Sequence, residues 1–387
     1  MSDYWGNSRL QEFSFSSEHR LAGIKVLFLV GSLDISGGTN LILNYAKGLK
    51  DAGAEVTIGF TIGERDNIAW HPHSTDFQVF HVSKIKSQYF DLGIATWWPT
   101  VSQVIEIECG RYIYFVQSLE SRFALNYIDR SEAVSAAATY MLGLPVITIA
   151  TWLQNLLMSQ TPSKVWLVHN GIDKELFPVS NHLNSNESRK LRILVEGAID
   201  VPMKGVSETL SSLAEISDIE IWHVNPISGS SAYADKTFNQ LRINEMHSIY
   251  KNVDVLVKMS RVEGMFGPPL EAFHSGATAV VSKVTGYDEY IKHRVNSLVV
   301  DVDDFEGMKS SVLELKNDRN LLASLKRGAI GTASDWKSIE DSKNEFISIC
   351  KIVMRSATVG NINRDEMRSN LQKYILKEFI PFDLLGE

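Results

Sequence analysis

The sequence is short of cysteine. Only Cys109 and Cys350 occur, far apart and outside any C-x-x-C spacing, so neither a disulfide framework nor a zinc cluster is expected. It also lacks a basic surplus: the formal net charge is −8, against the excess of lysine and arginine that holds a nucleic-acid backbone, and nucleic acid is not an expected partner. No stretch reaches ~18 uninterrupted apolar residues, and residues 1–23 contain no apolar h-region, which predicts a cytoplasmic location. No G-x-G-x-x-G follows the first apolar run and no G-x-x-x-x-G-K-S/T occurs anywhere. Dinucleotide dehydrogenases and P-loop enzymes therefore lose the motifs their phosphate binding needs.

What is present is an ordinary globular composition, 44% hydrophobic and 22% charged, over 387 residues. At ~100–200 residues per domain this length predicts two domains, each able to bury a core. From Ile24 onward, short runs rich in Val and Ile alternate with longer amphipathic runs, the pattern of α/β proteins whose parallel strands are buried on both faces. I-K-V-L-F-L-V at 24–30 reads as the first strand, and G-S-L-D-I-S-G-G-T leads into a helix over 40–52. Runs at 55–60, 77–82, 91–96, 111–116, 146–150 and 165–170 continue the sheet. The polar stretch 178–190 reads as a linker. A second series follows at 191–196, 219–224, 253–258, 278–282 and 297–301. The expected organisation is a first Rossmann-like domain over 1–178, a second over 191–355 facing it across a cleft, and a tail over 356–387. That tail, with Leu371, Ile375, Phe379, Ile380 and Phe382, is expected to pack back on the first domain rather than lie on a membrane, because Arg368, Lys373 and Lys377 supply little basic charge. Phe13 and Phe15 are expected to cover a sheet edge.

The most informative stretch is R-V-E-G-M-F-G-P-P-L-E-A-F-H-S-G at 261–276, where a buried strand gives way to a glycine-flanked loop and a proline-started helix. Pro268 and Pro269 pre-set the first helical turn, Gly264 and Gly267 permit close backbone approach, and free N–H groups at such a helix start suit an anion. Glu263 and Glu271 flank the loop. A carboxylate beside a diphosphate is repelled unless it faces hydroxyls, so vicinal diols are the natural partners: one carboxylate for a ribose, the other for a transferred sugar. The residues alone leave open a structural reading, with Glu271 favoured by the helix dipole and Glu263 a solvated loop acid. Lys204, in P-M-K-G-V, is a cation at a helix start, where the dipole disfavours it. Charge developing on a leaving phosphate would give it a task there.

E-G-M-F-G-P-P-L-E-A-F-H-S-G resembles the E-x7-E signature of retaining GT-B glycosyltransferases of family four. The resemblance extends to V-T-G-Y-D-E-Y-I-K-H-R-V-N-S-L-V-V at 284–300, to V-H-N-G-I-D at 168–173 and to the early glycine turn, and covers most of 24–330. It implies a GT-B fold, a nucleotide-diphosphate sugar as donor, and transfer with retention to a glycan or lipid-linked glycan acceptor; because Lys204 and helix amides would meet the phosphate charge, no cofactor or metal is expected. It further implies that Glu271 binds the ribose, that Glu263 contacts the donor sugar, that Gly37 and Gly38 lie by the diphosphate, and that Lys204 neutralises it. Gly264, Met265, Phe266 and Gly267 would line the donor. F-V-Q-S-L-E-S is similar to a segment of bacterial surface-polysaccharide transferases, including rhamnosyltransferases, which suggests a hexose or deoxyhexose; peripheral contact at the inner membrane face is a separate expectation.

Two positions depart from the family pattern. Ala198 stands where an arginine is usual, so a diphosphate contact is missing or comes from Lys258 or Arg261. Gln117 stands where many members carry a histidine, which places it among the candidate catalytic residues with Glu263 and Lys204. Trp97 and Trp98 follow a strand end and could stack on an acceptor sugar. Asp301 and Asp303 form a D-x-D, but a strand end followed by a helix cap explains them better than a metal. His169 and Asn170 read as a structural turn. The alternatives are a non-catalytic GT-B partner subunit, favoured by Ala198 and Gln117, and a GT-B sugar-nucleotide epimerase, for which no added acid and base residues are identified.

Overall fold

In the computed structural model, residues 21–122, 130–180, 189–356, 363–377 and 380–385 are described. Their strands form two parallel sheets, as continuous apolar runs demand, since a strand without a polar face must be covered by helices on both sides. In β1 (Lys25–Val30) every residue after Lys25 is buried. The first sheet adds β2 (Glu55–Phe60), β3 (Gln78–His81), β4 (Tyr89–Ala95), β5 (Glu108–Val116), β6 (Val146–Thr148) and β7 (Val165–Leu167), in the order β3-β2-β1-β4-β5-β6-β7. The second contains β8 (Leu191–Glu196), β9 (Ile219–Asn225), β10 (Lys236–Asn239), β11 (Val255–Lys258), β12 (Thr278–Ser282) and β13 (Ser297–Val300), in the order β10-β9-β8-β11-β12-β13. One face of the second sheet has its own core, with Leu191, Val195, Val255 and Leu298. The other, with Leu194, Leu256 and Phe273, is continuous with the core of the first domain. The fold is α/β, with two Rossmann-like domains.

Helix α1 (Gly37–Asp51) starts earlier than residue 40, because Ser36 caps it: its side chain accepts from the Thr39 amide at 3.0 Å. Gly37 and Gly38 thus sit in the first helical turn, where backbone N–H groups have no partner within the helix. Strand β10 was not expected from K-T-F-N, which has one apolar residue. Pairing with β9 creates it at the sheet edge, with residues 236–239 beside 222–225. Among the described residues the remaining α-helices are α2 (Trp98–Val104), α3 (Arg130–Tyr140), α4 (Thr151–Gln160), α5 (Val206–Leu213), α6 (Ile243–Tyr250), α7 (Pro268–His274), α8 (Phe305–Asn317), α9 (Arg319–Asp335), α10 (Ile339–Arg355), α11 (Arg364–Lys377) and α12 (Phe382–Leu385).

The chain returns to the first domain before residue 356. Helix α10 packs on α1, where Phe346 stacks on Tyr45 with ring centroids 4.4 Å apart and meets Phe115 edge-on at 5.6 Å. The return runs beside the outward crossing: Ile172 N donates to Lys337 O at 3.2 Å and Ile339 N to Ile172 O at 2.8 Å. Gly171 permits this approach, since a Cβ there would lie 2.0 Å from the Ser338 carbonyl oxygen. Beyond it, α11 packs on α3, and α12 on α3 and α4, with Ile380 and Leu384 buried. Arg368 pairs with Glu106, and Ser121 Oγ donates to Leu384 O. Ile375 and Leu376 are exposed, Leu376 by 81%. Phe13, Phe15, Phe379, the Phe382 side chain and linker residues 181–188 lie outside the described residues.

Candidate active site

Ligands of doubly wound sheets bind beyond the carboxyl ends of the strands, where the strand order reverses direction. In the first domain that point lies between β1 and β4, in the second between β8 and β11. The residues singled out from sequence gather at these two places. Gly37 and Gly38 follow β1, and Trp97 and Trp98 follow β4. Lys204 follows β8, and the loop 259–267 follows β11.

Gln117, just past β5, joins the two halves. Its Nε2 donates to Gly38 O at 3.4 Å, and its carbonyl oxygen would lie 2.0 Å from a Cβ on Gly264. Gly264 is therefore a glycine because the first domain presses on the loop, a reason different from ligand approach. Gly267 has open space where a side chain would be, which leaves room there for close approach from outside. Met265 and Phe266 are buried, which leaves only their backbone for a ligand. Trp152 on α4 holds the loop from the first domain, donating from Nε1 to Gly264 O at 2.8 Å. The Arg122 guanidinium stacks over the Trp152 ring and donates to Thr285 Oγ1 at 3.1 Å.

Charge in the second half forms a chain of alternating sign. Lys204 Nζ is 2.7 Å from Glu263 Oε1, Lys258 Nζ is 3.9 Å from the same oxygen, and Lys258 Nζ is 2.7 Å from Glu196 Oε2. Burial alone would push the Glu263 carboxyl up, but Lys204, then Lys258, hold it below the usual carboxylate range. Glu271, on α7, is pushed up to about 7 by burial and the nearby Glu196 charge, against the pull of the Tyr250 hydroxyl and Lys258. Lys258 is held above the usual lysine value, Glu196 and Glu263 outweighing its burial. Of the two stand-ins considered for the cation absent at Ala198, Arg261 is engaged elsewhere: Nε donates to Asp303 at 2.6 Å and Nη2 to Glu208 at 2.8 Å. Lys258 borders the site but is buried there against Glu196 and Glu263, so it meets carboxylates and is not open to a diphosphate. Glu196 was missed in the sequence, where V-E-G offers only a carboxylate at a strand end.

The remaining candidates sort by contact. Trp97 packs on Gly31 and meets Trp98 edge-on, with centroids 6.1 Å apart, and both rings are half-buried. Glu120, not anticipated, fixes this corner: its Oε2 accepts from Trp98 N at 2.7 Å and from Tyr114 Oη at 3.0 Å, and burial pushes its carboxyl up to about 8. His169 does more than turn the chain. Its Nε2 lies 2.7 Å from Glu289 Oε2, and Glu289 also accepts from Thr151 N at 2.5 Å, so a second-domain carboxylate caps a first-domain helix. Of the D-x-D, Asp303 pairs with Arg261, and the cap of α8 falls to Asp304, whose side chain accepts from Gly307 N at 2.8 Å. Among the described residues no three His, Cys, Asp or Glu side chains come together as a metal site would need.

Residues 231–331, which contain both Glu263 and Glu271, match the family described as Glycosyl transferases group 1. An uncharacterized glycosyltransferase of Methanocaldococcus jannaschii is 24% identical over 365 residues, covering 80% of this chain and 92% of the relative. Among solved structures, sucrose-phosphate synthase from Thermosynechococcus elongatus superposes with a TM-score of 0.71 at 13% identity, over 85% of this chain and 98% of that one. Anabaena HepE in complex with UDP-glucose gives 0.69 at 15% identity, over 85% and 100%. The chain thus has the GT-B fold, carries a glycosyl transferases group 1 segment around its two flanking carboxylates, and is a glycosyltransferase.

Proposed function

We propose that the chain is a retaining transferase that moves a hexose or deoxyhexose from a nucleoside-diphosphate sugar to a glycan or lipid-linked glycan in bacterial surface-polysaccharide synthesis. The observation that carries this reading is the Lys204–Glu263 pair, 2.7 Å apart at the loop that abuts Gln117 across the cleft, with the Gln117 side chain in turn reaching Gly38. It supplies a cation for a leaving phosphate and a carboxylate for sugar hydroxyls at one point. The UDP-glucose bound by HepE supports a nucleotide-sugar donor. In the reaction, the bond between the anomeric carbon and the diphosphate oxygen breaks, and its electron pair leaves with the diphosphate, which Lys204 neutralises. The acceptor hydroxyl attacks the same face, forms the glycosidic bond, and gives its proton to a phosphate oxygen. Glu271 holds the ribose diol, Gly37 and Gly38 lie by the diphosphate, and Trp97 and Trp98 receive the acceptor. No metal takes part. The reading places the protein in the cytoplasm with peripheral contact at the inner membrane face; no helix among the described residues is long and apolar enough to cross a membrane.

The test is calorimetric titration of the purified protein with UDP, GDP and dTDP, followed by donor hydrolysis and anomeric analysis of the released sugar by NMR. Binding of one diphosphate and chelator-resistant release of sugar with retained configuration are expected. A protein that binds a diphosphate yet turns over no donor is the non-catalytic subunit instead. Conversion of the sugar nucleotide into its epimer without an acceptor supports the epimerase.

A further inference from the structure

Five charged side chains face one another at the carboxyl ends of β8 and β11. Glu196 comes from β8, Lys204 from the turn at 202–204, Lys258 from β11, Glu263 from the loop and Glu271 from α7, with the Tyr250 hydroxyl beside Glu271. The two lysines are placed differently. Lys204 sits on a short turn with its side chain 30% exposed. Lys258 is 3% exposed and rooted in a strand that is hydrogen-bonded on both sides, to β8 and β12.

This arrangement sets a problem for the reaction proposed above, on which the present inference rests. Lys204 is already committed to Glu263. If it moves to the donor's diphosphate, Glu263 is left as a largely buried carboxylate, and removing one partner of a buried pair is strongly unfavourable. Such a carboxylate would take up a proton or keep Lys204 for itself. Lys258, 3.9 Å from the same oxygen and unable to reach solvent, is the group that can take over. We propose that Lys258 is a positioning residue that holds the Glu263 carboxylate from beneath and so frees Lys204 to leave Glu263 for the diphosphate. Glu196, 2.7 Å away, keeps the Lys258 ammonium directed at this spot.

The experiment uses the full chain with Lys258→Met, which keeps the side chain's length and removes its charge, beside Lys258→Arg, which restores charge. Turnover is measured from pH 5 to 9 and nucleoside-diphosphate affinity by calorimetry. In Lys258→Met the acid limb of kcat should move up by about one pH unit or more, since an opposite charge within ~4–6 Å typically lowers a carboxyl by that much, and Lys258 Nζ lies 3.9 Å from Glu263 Oε1. Diphosphate affinity should fall roughly tenfold, and Lys258→Arg should return the limb toward its original position. In a Glu263→Gln background, adding Lys258→Met should cost little further affinity, because no carboxylate remains to be held. An unshifted acid limb in a folded Lys258→Met protein, or a full multiplicative loss in the double variant, overturns the inference. Should Lys258→Met fail to fold, Lys204→Met decides. With Lys258 holding Glu263 it should melt close to the wild type, and a large loss of melting temperature counts against the inference. A wild type that binds no nucleoside diphosphate overturns the functional reading and this inference together. A wild type that binds and turns over, beside a Lys258→Met protein with unchanged pH dependence, overturns the inference alone.

Discussion

Glu263 and Glu271 belong to one short motif yet hold opposite electrostatic positions. Two lysines keep Glu263 below the usual carboxylate range, whereas burial and Glu196 raise Glu271 from the ordinary 4.5 to about 7. For Glu271 the folded state therefore binds a proton that the unfolded chain releases, and its contribution to stability declines as pH rises from about 4.5 to about 7. For Glu263 the sign is reversed: its contribution is complete above the ordinary carboxylate range and is lost as pH falls through its lowered folded value. A charged Glu271 accepts the diol's hydrogen bonds more strongly than a protonated one. Diphosphate affinity measured by calorimetry should therefore rise between pH 6 and 8, and the rise should vanish in Glu271→Gln. At pH 8 that substitution should cost ~1.5–3 kcal/mol of donor and free-diphosphate affinity. Glu263→Gln should instead lower turnover with diphosphate affinity largely kept, as expected for an interaction that strengthens while the anomeric carbon becomes cationic. The reverse pattern would exchange the two roles.

Among the elements, the ones read well from sequence are those whose own residues dictate them. β8 and β12 occupy 191–196 and 278–282, the runs that periodicity marked, because a strand buried on both faces shows as an unbroken apolar run. β10 did not show, because an edge strand with two half-buried residues and none fully buried depends on its neighbour for its existence. The tail helices depend on their neighbours in the same way. Met367, Ile380 and Leu384 are buried against the first domain, and each such side chain stabilises by roughly 1.5–3 kcal/mol as an upper bound. Deleting the chain after Ser356 should lower the denaturant midpoint by an amount matching several kcal/mol and leave vesicle binding unaltered. Unchanged unfolding together with lost vesicle binding would instead make exposed Leu376 and Ile375 a membrane contact.

At the scale of the whole molecule, the two domains are joined at the site as well as at the chain crossings. Gly264 abuts Gln117, Trp152 grips the Gly264 carbonyl, and Glu289 caps α4 through Thr151. The position of Glu263 is thus set partly by the other domain. Gly264→Ala should push the loop off Gln117, since a Cβ there would sit 2.0 Å from the carbonyl oxygen. A misplacement near 1 Å typically costs on the order of 10²-fold in rate. Turnover should fall by that order while circular dichroism stays that of the wild type. Full activity in Gly264→Ala would show that the contact between domains does not position the loop.

The α/β class, the two-domain order and the segment 261–276 that carries both carboxylates were legible along the chain, because apolar periodicity and a local motif involve residues near one another in it. The sequence also brought Lys258 into view, as one of two cations that could replace the contact missing at Ala198. Tertiary structure alone decided which charges meet. Lys258 finds Glu196 across 62 positions, Trp152 finds Gly264 across 112, and Thr151 finds Glu289 across 138. Such partners are chosen by strand order and by how two domains dock, and neither leaves a trace in local spacing. The same holds for the electrostatic contrast between the two glutamates, since burial and distant neighbours, not the motif, set the charge each one carries.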